Sequence, residues 1–245
     1  MRRPHLVALS LAALAAWVAA QEPPRARFER SPESLARGRE LYDAHCRKCH
    51  GPEGKGDGPE RGETLPAPRD FTRKQFRYVT TENRAPSPED LARVIRRGLP
   101  GTAMAGVADL AEADVWALAY RVQELAGTEP EPKPLAVAPR PEDPDLRRKG
   151  SRLFLANCAK CHGAGGKGDG AAAGSLKDDD GRPVRPRNLV DDPLRGGSEP
   201  EQVYCRIKLG LPGSSMVPPV AFPALKDEQA WALVEFVLGL REPKK

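Results

Sequence analysis

Two five-residue stretches decide the reading of this chain: "CRKCH" at residues 46–50 and "CAKCH" at residues 158–162. They hold four of the five cysteines. Cysteines at i and i+3 lie on one side of a helical turn. Both sulfurs of such a pair reach the two vinyl groups on one edge of a porphyrin, and the adjacent histidine falls beneath the ring to bind iron. C-x-x-C-H is the pattern of covalent haem c attachment. A zinc site would pair the two knuckles, but they are 112 residues apart and each is followed by histidine. A thioredoxin-like redox motif needs a strand–helix–strand context that the sequence lacks. Two local disulfides would leave both histidines, and two methionines discussed next, without a role. The sequence therefore predicts two covalently bound haem c groups, held by Cys46, Cys49 and His50 and by Cys158, Cys161 and His162.

Working outward, the chain repeats itself. "ARGRELYDAHCRKCHGPEGKGDG" from Ala36 matches "RKGSRLFLANCAKCHGAGGKGDG" from Arg148. Gly38 and Gly150, Cys46 and Cys158, and His50 and His162 each differ by 112. So do Met104 and Met216, which close "GLPGTAM" and "GLPGSSM" and are the only methionines besides Met1. A haem iron bound by one histidine has a sixth position, and these thioethers are the ones available to fill it. Gly, Pro and Gly let each loop run close over the ring face. Sulfur on iron favours the reduced state and raises the potential. Met104 and Met216 are thus expected as iron ligands with His50 and His162. Between these anchors the register slips: "PRDF" (68–71) pairs with "PRNL" (186–189), because the "AAAGSLKDDDGRPV" loop of the second half is about six residues longer.

A linker rich in proline, Gly127 to Pro144, separates the halves and is expected to be an extended, semi-rigid spacer. The expected domains are residues 31–127 and 145–242, with 128–144 between them. Each half reads as helical. Ser31-Pro32 starts a first helix, Asp145 is placed to cap its counterpart, "SPEDLARVIRRG" and "SEPEQVYCRIKLG" are short helices ending at glycine, and "EADVWALAYRVQEL" and "KDEQAWALVEFVLGL" close the halves. No strand pattern is evident.

On these motifs the chain resembles class I cytochromes c, arranged as a tandem dihaem cytochrome. The resemblance covers both halves and rests on C-x-x-C-H, the "GKGDG" loops, the methionine loops and the first and last helices. It implies an all-α fold of two class I cytochrome c-like domains and single-electron transfer between redox protein partners. It also implies that the first and last helices of each domain cross. Gly38 and Tyr42 then meet Trp116 and Tyr120, and Gly150 and Phe154 meet Trp231 and Phe236. The first half departs from the pattern, since Arg121 stands where the second has Phe236. "PRDF" and "LKDDDGRPVRPRNL" look like segments of dihaem cytochromes that serve larger respiratory or molybdenum-enzyme systems, which makes such a membrane complex or enzyme a candidate partner.

Two subsidiary roles are expected. A loop carbonyl near Pro59, and one near Ala171, should accept the free N–H of His50 or His162 and fix its ring. Arg69 and Arg187 are candidates to pair with haem propionates, against the alternative of solvated arginines. Cys205 reads as a buried thiol, with a sulfur ligand or reactive thiol as the alternative, and His45 as a surface or packing residue.

Residues 1–20, with Arg2, Arg3 and His5 before an apolar run that ends in small residues, read as a secretory signal peptide, with an uncleaved anchor as the alternative. The protein is therefore expected in the periplasm. The formal charge is +5, and two of those charges belong to Arg2 and Arg3. That balance is weak ground for a nucleic-acid partner, and no nucleic-acid motif is present. An electron carrier is the expected function. A dihaem peroxidase or sulfur-compound oxidoreductase, which needs an open or exchangeable iron, and a permanently bound electron-transfer subunit are the alternatives.

Overall fold

The structure is a computed structural model that describes residues 28–62, 66–127, 131–214, 216 and 225–242. The predicted signal segment and the start of the linker lie outside the described residues. Eight α-helices are described: α1 (Pro32–His45), α2 (Arg47–His50), α3 (Pro88–Arg97), α4 (Glu112–Ala126), α5 (Leu146–Asn157), α6 (Ala159–His162), α7 (Pro200–Leu209) and α8 (Asp227–Gly239). Among the described residues the only β-pairing is two isolated bridges. The order α1–α4 repeats as α5–α8, so the all-α expectation holds.

The helices begin where the sequence says. Ser31 and Ser34 exchange side-chain and backbone bonds at the start of α1, Ser34 N to Ser31 Oγ at 3.2 Å and Ser31 N to Ser34 Oγ at 2.8 Å, with Pro32 in the first turn. Ser87 Oγ accepts from Asp90 N at 3.1 Å and starts α3. Asp145 does occupy the N-cap position of α5, but its side chain makes no capping bond. Its carboxylate takes Arg148 instead, at 2.6 Å.

In each half the first helix lies across the last, α1 on α4 and α5 on α8. The crossing is closest at a glycine. A Cβ on Gly38 would sit 2.2 Å from Ala117 O, and one on Gly150 would sit 1.8 Å from Ala232 O. The aromatic contacts differ between the halves. Phe154 meets Phe236 with ring centroids 5.0 Å apart, as expected. Tyr42 is instead covered by the Arg121 guanidinium, 5.6 Å from its ring centre. Trp116 turns away and stacks on Phe28 at 6.0 Å, and the Tyr120 hydroxyl donates to Phe28 O. The upstream segment thus takes the aromatics that the crossing was expected to use.

The third helix of each half packs on the last one, α3 on α4 and α7 on α8. In the first half this layer is fixed by a buried carboxylate. Asp90, 1% exposed, accepts from Thr80 N at 2.8 Å, Thr80 Oγ1 at 3.0 Å and Arg93 at 2.5 Å. Asp90→Ala leaves the Thr80 amide and the Arg93 guanidinium without their acceptor, and should lower stability by about 3 kcal/mol. Equilibrium denaturation measures this directly, and a loss within ±0.5 kcal/mol, the ordinary range for an exposed substitution, would contradict the role.

The described part of the proline-rich segment, from residue 131, is extended and bonded to both halves. Leu135 N donates to Thr80 O (2.8 Å), Glu82 N to Lys133 O (2.8 Å), and Trp231 Nε1 to Ala138 O (2.8 Å). Arg140 pairs with Glu235 at 2.8 Å. The extended, semi-rigid spacer that was expected is thus also held as a strap on both halves. No helix among the described residues is long and apolar enough to cross a membrane.

Candidate haem sites

Each C-x-x-C-H stretch is one short helical turn following the first helix of its half. Cys46 ends α1, and the backbone then closes on it: Cys49 N to Cys46 O at 3.1 Å and His50 N to Cys46 O at 2.9 Å. Cys161 N and His162 N make the same bonds to Cys158 O, at 3.1 and 2.9 Å. Both sulfurs of a pair therefore leave one turn. No disulfide joins any two of the five cysteines. Burial, and then the neighbouring cysteine, pushes the Cys46 and Cys158 thiols up to about 11.

The "GKGDG" loops wrap these turns. Gly56 N donates to His50 O (2.9 Å) and Gly58 N to Cys49 O (3.2 Å); Gly168 N and Gly170 N do the same for His162 O (2.8 Å) and Cys161 O (3.2 Å). The loop then receives "PRDF" or "PRNL", through Phe71 N to Gly54 O and Leu189 N to Gly166 O, both 2.7 Å. This last step supplies the acceptor for each histidine. His50 Nδ1 lies 3.2 Å from Arg69 O, and His162 Nδ1 lies 3.4 Å from Arg187 O.

The carbonyls expected near Pro59 and Ala171 do not have this role. That segment instead donates to the attachment turn, with Glu60 N bonded to Lys48 O (2.8 Å) and Ala172 N to Lys160 O (2.9 Å). The repeat itself carried the signal for the correct residue. His50 to Arg69 is 19 residues and His162 to Arg187 is 25, and the difference is the six-residue insertion. A carbonyl on Nδ1 places the proton there and leaves Nε2 as the free nitrogen donor. Burial lowers the pKa of both imidazoles, partly offset by that bond, which favours the neutral ligand form. Phe71 stacks on His50 at 4.6 Å and fixes its plane.

The methionine loops follow α3 and α7 and are built alike. Leu99 N donates to Met104 O at 2.9 Å and Leu211 N to Met216 O at 2.8 Å. Thr102 Oγ1 donates to Leu99 O and Ser214 Oγ to Leu211 O, both at 2.7 Å. Both methionines are half-buried.

Arg69 stands near the carboxylates of Asp178, Asp179 and Asp180 without pairing to them. Its half-buried guanidinium makes no hydrogen bond or ion pair with any described residue, and burial, then Arg77, pushes it down to about 10. An anionic edge such as a propionate suits it. Arg187 is better satisfied, by Pro193 O at 3.2 Å and Asp192 at 3.4 Å. The donor set of each half, two sulfurs on one turn, an anchored neutral imidazole and a thioether loop, fits haem c.

Cys205 lies in the core, 1% exposed, and burial, followed by Asp90, pushes its thiol up to about 11. That is an inert packing thiol. His45 is exposed.

These features define a protein with one covalent-haem site in each of two helical units. The comparisons agree. The cytochrome c family matches residues 148–241. The family of cbb3-type cytochrome c oxidase subunit III matches residues 33–120. The chain is a tandem of two cytochrome c domains and binds covalent haem c in each, and such domains transfer electrons. It is 30% identical over 154 residues to the cbb3-type cytochrome c oxidase subunit FixP of Azorhizobium caulinodans, an alignment that spans 60% of this chain and 45% of that protein. It is also similar to a chain of the reducing HAO-like protein complex of Kuenenia stuttgartiensis, with a TM-score of 0.74 and 29% identity over 90% of this chain and 99% of that one.

Proposed function

We propose that this chain is an exported dihaem cytochrome that passes single electrons between redox protein partners through two haems with His/Met ligands. The domains are residues 31–127 and 145–242, joined by the proline-rich segment at 128–144. Cys46 and Cys49 hold one haem and Cys158 and Cys161 the other. His50 and Met104 bind the first iron, and His162 and Met216 the second. The observation that carries this reading is the duplicate construction of the two sites: an imidazole anchored through Nδ1, and a methionine loop closed by the same two bonds, occur in both halves. With both iron positions taken, the haem moves electrons rather than binding substrate. The chain's own contribution is to keep each imidazole neutral and oriented, to exclude water around it, and to set cationic side chains beside the haem edge, Arg69 above all.

The test is the far-red band that methionine sulfur gives on ferric haem, calibrated to haem content. Two haems' worth is expected, and Met104→Ala and Met216→Ala should each remove half of it and lower one of the two potentials. A wild-type band worth one haem or none would move the assignment toward an enzyme with an open iron.

A second reading, a fixed electron-transfer subunit of a larger assembly, is favoured by the two similar proteins, each named as part of a complex. Purification of the native protein with stoichiometric partners would establish it.

A further inference from the structure

The contacts between the two domains follow one pattern run twice. Arg77 of the first domain donates from Nε to Pro212 O at 3.3 Å and from a terminal nitrogen to Gly213 O. Arg195 of the second donates from Nε to Pro100 O at 2.9 Å and from a terminal nitrogen to Gly101 O at 2.8 Å. A second arginine backs each contact. A Cβ on Gly213 would lie 2.6 Å from Arg69, and one on Gly101 would lie 2.7 Å from Arg187. Both glycines have φ of +68°, so no other residue fits this approach without strain. Pro100-Gly101 and Pro212-Gly213 are the apices of the loops that end in Met104 and Met216.

We infer that each methionine loop is held in place by the opposite domain: Arg77 positions Met216, and Arg195 positions Met104. This rests on the methionine ligation proposed above. Among the described residues, the own-domain bonds of each loop join its base, through the Leu99–Met104 or Leu211–Met216 backbone bond and the Thr102 or Ser214 hydroxyl, with Thr102 N also bonded to Leu99 O. The apex carbonyls turn outward to the other domain's guanidinium. Planar, two-pronged arginine bonds of this kind fix direction as well as distance. The interdomain ion pairs among the described residues, Arg73–Asp180 at 2.7 Å and Arg97–Glu199 at 2.6 Å, are more exposed and do not touch the loop apices. Each hold is local, Arg77 acting on the Met216 loop and Arg195 on the Met104 loop, and the arrangement is reciprocal in the manner of a two-fold interface.

The test uses the ferric holoprotein, with imidazole as a competitor that displaces methionine from iron. The loss of the far-red band is followed at each haem, the two being assigned with Met104→Ala and Met216→Ala. Arg77→Gln should lower the imidazole concentration needed at the Met216 haem about tenfold, the equilibrium factor of one charge-assisted hydrogen bond, and leave the Met104 haem unchanged. Arg195→Gln should do the reverse. Arg77→Lys and Arg195→Lys, which keep the charge and lose the fork, should fall between wild type and Gln. Arg73→Gln, which removes an interdomain ion pair away from the loops, should move neither haem. Equal weakening of both haems by Arg77→Gln, or no change at either, overturns the cross-domain hold while leaving methionine ligation standing. Absence of the band from the wild-type protein overturns both.

Discussion

Replacing Cys46 and Cys49 together with serine is expected to leave a chain carrying one covalent haem instead of two. Serine oxygen does not form the thioether, and the second site shares no attachment atom with the first. Cys158 and Cys161 leave a separate turn 112 residues on, wrapped by its own "GKGDG" loop. The paired Cys158→Ser and Cys161→Ser variant should lose the other haem, and all four replacements should give a colourless chain. Cys205→Ser should keep both haems, because that thiol is a packing group on α7. Haem iron per chain after denaturation and extraction of loose haem is the measurement. Two haems surviving extraction in the Cys46/Cys49 variant would remove the attachment assignment altogether.

The second large effect is expected at the helix crossing. Gly150→Ala places a methyl group 1.8 Å from Ala232 O, and Gly38→Ala places one 2.2 Å from Ala117 O. The listener at each contact is backbone in the middle of α8 or α4, which cannot step aside as a flexible side chain would. The helices must separate, and the Phe154–Phe236 contact in the second domain opens with them. Overpacking costs of this kind run to about 3 kcal/mol, enough to unfold a domain of marginal stability. Denaturant midpoints followed by helical signal and by haem absorbance should fall for the altered domain in both variants. An unchanged midpoint for Gly150→Ala would mean that α5 and α8 do not cross at this residue.

Much of the fold could be read from short-range signals. Ser31-Pro32, Ser87-Pro88, Gly98 and Gly210 mark helix ends because capping is decided within a turn of chain. The α7 boundary shows where such signals weaken. Its N-cap is Glu199, which makes no capping bond because its carboxylate pairs with Arg97 across the domain interface at 2.6 Å. The same limit applies to Asp145, drawn to Arg148. The histidine acceptors escape short-range reading for a related reason. Pro59 and Ala171 are near in sequence, but the loop bends so that their neighbours donate to the attachment turn, and the acceptor arrives 19 or 25 residues later.

The sequence by itself determined the cofactor and pointed to the residues proposed to attach it. Covalent haem capture depends on the spacing of two sulfurs and a histidine within five residues, and helix formation on caps and periodicity within a few turns. The regular recurrence of those elements also set the duplication of the domain. Only the tertiary structure decided which carbonyl holds each imidazole, that Arg121 rather than an aromatic covers Tyr42, that the proline-rich segment is a pinned strap, and that each methionine loop is gripped from the other domain. Those contacts join residues tens to more than a hundred positions apart. Their partners are selected by how loops close and how two packed units dock, and neither is written in any local spacing.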